Sequence, residues 1–162
     1  MTVFEGVVDQ VRKPGYWPSD IPADAPLAEC TDLFAEKLSS FDLRFGPPYR
    51  MHARGIDPLK IGIGISLEFR SAEEEARFRE LRDRISDTLN VRHPGHESYG
   101  LHFSIAYLLR HLTDEQEADI SRLVLDHLKD APVDFELEAP EFCTFEDMFA
   151  FKRLFYLQNQ AS

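Results

Sequence analysis

Apolar residues recur along this chain with two periods, and the points where the period changes divide it into elements. Thr2-Val3-Phe4-Glu5-Gly6-Val7-Val8 is β-branched or aromatic and predicts a strand from the first residues onward. Arg12-Lys13-Pro14-Gly15-Tyr16-Trp17-Pro18 and Asp20-Ile21-Pro22 carry prolines and a glycine that forbid a regular ladder, so a loop is predicted. Leu27, Cys30, Phe34, Leu38 and Phe41 are three or four apart behind Asp24 as N-cap and Pro26 in the first turn, the signature of a one-faced helix. Gly46-Pro47-Pro48 ends it. Tyr49 to Gly55 and Lys60 to Phe69, separated by Asp57-Pro58, predict a hairpin. In its second run Ile61, Ile63, Ile65, Leu67 and Phe69 alternate with Lys60, Gly62, Gly64, Ser66 and Glu68, so one face is core and the other nearly bare.

Two capping boxes then open two helices. Ser71-Ala72-Glu73-Glu74 precedes a stripe of Phe78, Leu81, Ile85 and Leu89, with His93-Pro94-Gly95 as the stop. Thr113-Asp114-Glu115-Gln116 precedes Ile120, Leu123, Val124 and Leu128. Tyr99 to Leu109, Val133 to Glu138 and Phe149 to Leu157 have strand character. The order βαββ followed by αβαββ predicts an α+β fold over 1–162, a single domain whose two sheet-and-helix lobes flank a cleft. Glu73–Arg77 and Glu75–Arg79 are i, i+4 pairs, and with Arg82 and Arg84 they predict a solvated helix face.

Composition narrows the class. With 162 residues, 43% of them hydrophobic, one core is the default. Lys and Arg number 18 against 29 Asp and Glu, a net charge of −11 that repels long nucleic acid and anionic membranes. No apolar run approaches the roughly 18 residues needed to span a bilayer, and no leader pattern precedes the first element, so a cytoplasmic protein is expected. Cys30 and Cys143 are too few for a disulfide scaffold or a four-thiolate zinc site.

The chemistry-bearing residues fall in a few short runs. In His102-Phe103-Ser104-Ile105-Ala106-Tyr107, residues two apart share a side of the sheet, so His102 and Ser104 face together while Phe103, Ile105 and Tyr107 are expected against the helix layer. An imidazole beside a hydroxyl can move a proton on a phosphate while hydrogen-bonding a non-bridging oxygen. The alternative is a hydrogen-bonded structural pair. Arg50, His52 and Arg54 also share one strand face and suit a bound phosphate, or else a solvated face paired with carboxylates. Tyr16 and Trp17 are candidates to stack on a base, against the alternative that Trp17 anchors its loop. His93-Pro94-Gly95-His96-Glu97 contains metal-ligand types, yet matches no ligand spacing and predicts an exposed turn, so neither metal nor other cofactor is expected.

Met1-Thr2-Val3-Phe4, Pro14-Gly15-Tyr16-Trp17-Pro18 and the run through Tyr107, Leu108, Arg110 and Leu112-Thr113 resemble the two-histidine phosphoesterase superfamily, in a branch whose first motif reads His-Met-Thr-Val-Phe. The resemblance implies two pseudo-symmetric lobes of antiparallel sheet with outer helices, each giving a His-x-Thr/Ser strand to a central cleft. It also implies metal-free opening of 2′,3′-cyclic or related phosphodiesters, with Thr2, Ser104 and His102 as site residues. The first histidine of the motif would stand immediately before Met1, so the chain begins inside the motif. The expected ligand is a small phosphodiester or nucleotide, RNA ends bearing a cyclic phosphate included. Two rival readings are a non-catalytic nucleotide- or phosphate-binding protein, and a remnant that oligomerises through an exposed sheet edge.

Overall fold

The structure, a computed structural model, describes residues 1–44, 46–130 and 133–159. Among them the chain runs α1 (Leu27–Ser39), β1 (Tyr49–Ile56), β2 (Gly62–Phe69), α2 (Ala72–Leu89), β3 (His102–Tyr107), α3 (Asp114–Asp130), β4 (Asp134–Leu137), β5 (Glu141–Thr144) and β6 (Lys152–Tyr156). It is an α+β protein with antiparallel sheets, and its residues fall into two compact units. No helix of the described residues is long and apolar enough to cross a membrane.

The first unit comprises Met1–Val3, Tyr49–Glu75 and Ser98–Leu137. Its four-stranded sheet has the order β3-β2-β1-β4, every neighbour antiparallel. The expected hairpin forms, and the alternation of β2 buries Ile65 and Leu67 together with Tyr49, Met51 and Ala53 of β1. α3 packs on β1. Its capping box closes in both directions: Gln116 N donates to Thr113 Oγ1 at 3.3 Å and Thr113 N to Gln116 Oε1 at 3.0 Å. Ile120, Val124 and Leu128, spaced by four, are half-buried, but Leu123 is 68% exposed and leaves the stripe.

The second unit comprises Phe4–Pro48, Ala76–Glu97 and Glu138–Ser162. Its core joins Cys30, Phe34 and Leu38 of α1 to Phe78, Leu81, Ile85 and Leu89 of α2, with Trp17, Phe41, Leu43 and Val91. α1 starts later than expected, with Pro26 rather than Asp24 at the N-cap. α2 begins as its sequence dictates, Glu74 N donating to Ser71 Oγ at 3.2 Å. It stops before the expected His93-Pro94-Gly95, because Asn90 takes φ +54°, a left-handed conformation asparagine tolerates, and Val91 N returns to Ser86 O at 3.2 Å.

Two expectations fail here. Thr2–Val8 joins no sheet of the described residues: β-branched content favours extended backbone, but a strand exists only through a ladder. Instead Gly6 O accepts from His93 Nε2 at 3.0 Å, and Phe4 meets the His96 ring edge-on at 6.0 Å. Nor are the α2 arginines a solvated face. Arg82 is 2% exposed, Arg77 donates to Gly46 O at 3.0 Å and Arg84 to Leu43 O at 3.2 Å. Guanidinium groups here serve backbone carbonyls that would otherwise lose their water.

Candidate functional site

In an antiparallel sheet, residues directly opposite one another project from the same side. Ser66 of β2 pairs with His102 of β3 and with Gly55 of β1, Gly64 pairs with Ser104, and Glu68 pairs with His52. His52 in turn pairs with Asp134, and Arg50 with Glu136. Arg50 and His52 of β1 and His102 and Ser104 of β3 therefore lie on one face of one sheet, with Ile65, Leu67, Met51 and Phe135 on the other, while the expected alternation does not carry through to Arg54, which has no cross-strand partner. Phe103 takes the apolar side as expected, its ring edge-on to Phe135 at 6.1 Å.

Ile105 and Tyr107 do not. The pairing steps from Gly64–Ser104 to Ile63–Ala106, so Ile105 is the extra residue of a β-bulge. Beyond it the parity of β3 inverts, and Tyr107 stands opposite Gly62, on the side of Ser104 and His102. Ile105 is 57% exposed and Tyr107 42%. Glycine at 62 is required by this approach, since a Cβ there would lie 2.4 Å from Ala106 O.

The same face holds a group that sequence reasoning missed. Asp57, read only as part of a turn, donates its N–H to Gly64 O at 2.9 Å, and its Oδ1 accepts from Ser66 Oγ. Its Oδ2 lies 2.9 Å from where a Cβ on Gly64 would stand, so glycine at 64 lets the carboxylate lie over β2. Asp-Pro followed by Gly-x-Gly-x-Ser in the returning strand is the only sequence signal for it.

Among the described residues, the side chains of His102, Ser104 and Arg54 have no hydrogen-bond or ion partner. Arg54 is exposed and sits in a second bulge, between Ala53 and Gly55. Its neighbours differ. Arg50 Nε donates to Glu136 Oε1 at 2.9 Å and its Nη1 lies 3.7 Å from Glu74 Oε1. His52 Nδ1 is 2.7 Å from Asp134 Oδ1, and Asp134 also pairs with Arg70. Hydrogen bonds from His52 and Arg70 hold the Asp134 carboxyl below the usual carboxylate range. Arg50 and His52 thus show the carboxylate pairing that was the alternative to phosphate binding.

Thr2 is exposed, and its carbonyl accepts from Tyr99 Oη at 3.4 Å; no described hydrogen bond joins it to His102 or Ser104. Tyr16 meets His93 edge-on at 4.9 Å. Trp17 is 4% exposed, donates Nε1–H to Pro22 O at 3.1 Å and carries the Arg12 guanidinium 4.2 Å above its ring. No ring face remains for stacking on a base, so Trp17 anchors its loop.

The His93–Glu97 segment forms the expected turn, His96 N donating to His93 O at 2.9 Å with Pro94, Gly95 and Glu97 exposed, but its second histidine turns inward. His96 is 4% exposed, and ligand-type atoms of Asp83, His96 and Glu97 lie within 4.8 Å of one another. Arg92 already neutralises them, its Nη2 donating to Asp83 Oδ1 at 2.8 Å and to Glu97. Burial pushes the Asp83 carboxyl up, but hydrogen bonds from His96 and Arg92 outweigh it and leave the group below its ordinary value.

Residues 1–62 match the family model 2H-phosphodiest, described as a domain of unknown function (DUF1868). Among solved structures the chain is similar to the conserved protein of unknown function ATU0111 from Agrobacterium tumefaciens str. C58, at 29% identity and a TM-score of 0.82. That likeness covers 96% of this chain and 66% of the other, so the chain spans about two thirds of its relative's length. No curated protein matches. The family match points to the two-histidine phosphodiesterase superfamily, in agreement with the motif resemblance.

Proposed function

We propose, with the two-histidine phosphodiesterase likeness as premise, that the polar face of the first unit carries the His-x-Ser part of a phosphodiesterase site. Its substrate is a small cyclic phosphodiester, a 2′,3′-cyclic nucleotide or the cyclic phosphate at an RNA end. The observation that carries this reading is the unpartnered pair His102 and Ser104 on one sheet face, with a free Arg54 in the β1 bulge two strands away and only glycine opposite Tyr107. Such a face offers an imidazole for proton transfer, a hydroxyl for a phosphoryl oxygen, a cation for developing charge, and floor space for a ligand.

In the reaction, a water oxygen attacks phosphorus in line with the leaving ribose oxygen. One neutral imidazole takes the proton from water, and one imidazolium gives a proton to the departing oxygen as the P–O bond breaks. The products are a phosphomonoester and a free hydroxyl. His102 is one of the two imidazoles, and in the family pattern the other comes from the His-x-Thr motif that Met1-Thr2-Val3-Phe4 resembles in part. No metal is needed for the charge balance of these steps.

Incubation with 2′,3′-cyclic nucleotides, with and without a chelator, tests the reading. Chelator-resistant hydrolysis that falls about 10²- to 10⁴-fold in His102→Ala is the expected result. Turnover indifferent to His102→Ala, or abolished by chelation, refutes it. Saturable binding with no turnover supports instead the reading of a nucleotide-binding protein that uses Ser104 and Arg54 without paired proton transfer.

A further inference from the structure

We infer that Asp57 sets the charge preference of this site, admitting monoanionic phosphodiesters and disfavouring dianionic phosphomonoesters; the inference rests on the phosphodiester reading above. Asp57 is the first residue beyond β1, and its N–H to Gly64 O bond turns it back over β2. Its carboxylate bridges the polar face above Gly64 and Ser66, held by the Ser66 hydroxyl on one oxygen and fitted into the space left by the missing Cβ on the other. Gly64 and Ser66 are the cross-strand partners of Ser104 and His102. Adjacent strands lie roughly 4.8 Å apart, so the carboxylate stands about one strand spacing from the row that would hold the phosphate, on the same side.

The electrostatic surroundings do not cancel that charge. Among the described residues Asp57 has no ion pair. Besides Asp57, the charged or titratable groups whose register puts them on this face are His102 and Tyr107 on β3, Glu68 on β2, Arg50 and His52 on β1, and Asp134 and Glu136 on β4, and Arg50 and His52 already serve Glu136 and Asp134. A half-buried carboxylate beside an anion site raises the free energy of every negative charge placed there, by an amount proportional to that charge. A cyclic or open phosphodiester carries one negative charge, whereas a phosphomonoester carries about 1.5 to 2 near neutral pH. The carboxylate therefore opposes the hydrolysis product more than the substrate. It supplies both a substrate class and a means of product release, while Arg54 offsets the charge the two ligands share.

Isothermal titration of the chain at pH 8 tests this with three probes: a nucleoside 2′,3′-cyclic phosphate, the matching 3′-methyl phosphodiester, and the matching 3′-monophosphate. Asp57→Asn keeps the shape and removes the charge, and is expected to raise monophosphate affinity on the order of tenfold more than that of either diester. Ser66→Ala loses the hydrogen bond but keeps the charge, and Asp57→Glu keeps the charge on a longer stem; both should retain the wild-type preference. An unchanged preference in Asp57→Asn overturns the inference, as does a shift in Ser66→Ala as large as that in Asp57→Asn, which would mark a purely structural role. If none of the probes binds the unmodified chain, the phosphodiester reading itself fails. Binding of all three with a ratio indifferent to Asp57→Asn refutes only the role of Asp57.

Discussion

Replacing Gly62 by alanine puts the β2–β3 geometry under direct strain. A Cβ at 62 would stand 2.4 Å from the carbonyl oxygen of Ala106, and that neighbour is backbone, so no side chain can swing aside. Ordinary carbon–oxygen contacts begin near 3.3 Å, so β3 must retreat by about 0.9 Å, roughly a fifth of the strand spacing. Overpacking of this kind costs about 1–3 kcal/mol. Gly55→Ala is the matched control: it lies on the neighbouring strand, has no atom within 4 Å of its Cβ position and keeps an ordinary φ. Its only expected effect is the gain of up to about 1 kcal/mol from a stiffer unfolded chain. Urea unfolding followed by far-UV circular dichroism should place Gly62→Ala about 1–4 kcal/mol below Gly55→Ala. At about 2–4 °C per kcal/mol, that is a difference of about 2–16 °C in midpoint temperature. Equal stability of the two variants, within about 0.5 kcal/mol, would refute the bulged register and with it the assignment of Tyr107 to the polar face.

Three further outcomes follow from other parts of the molecule. Phe78→Ala empties a fully buried position in α2 and should cost about 3–5 kcal/mol in denaturant unfolding. Arg54→Ala should weaken cyclic-nucleotide binding about tenfold in calorimetric titration, the scale of a lost hydrogen bond to a charged group, while Arg50→Ala, already committed to Glu136, should change it less than about twofold. Asp83 has a depressed folded pKa, so the stability it confers is present above the unfolded value of about 4 and is lost as pH falls through the lower folded value. Asp83→Asn should therefore be less stable than wild type near neutrality, and the gap in urea midpoint should close as the pH is lowered below about 4.

The parts legible in the sequence are those fixed by local pattern. The alternation of Ile63 to Phe69 and the boxes at Ser71 and Thr113 specify β2, α2 and α3 because they involve residues a turn or a pleat apart, whereas Ile61, expected on the same core face, lies before β2 and is 77% exposed. His102 and Ser104 share a face for the same reason. What was hidden depends on partners distant in the chain. His-Phe-Ser-Ile-Ala-Tyr alternates whether or not a residue is extruded, so the inversion of Tyr107 needed the register against β2. Asp57 reads as a turn former, and only its return over Gly64 makes it part of the site. Arg82 sits in a run of charges that suggests solvent, yet it is buried, since helical periodicity alone does not reveal which carbonyls await a donor.

The extruded Ile105 also bears on how the strand could change length. Its pairs on either side, Ser104 with Gly64 and Ala106 with Ile63, are already consecutive on β2, so excising residue 105 would straighten β3 and keep both. Loss of Phe103 instead would leave His102 out of step with Ser66 and turn its imidazole toward the hydrocarbon side. Along this one strand, then, a single-codon deletion is silent at one position and ruinous two positions earlier.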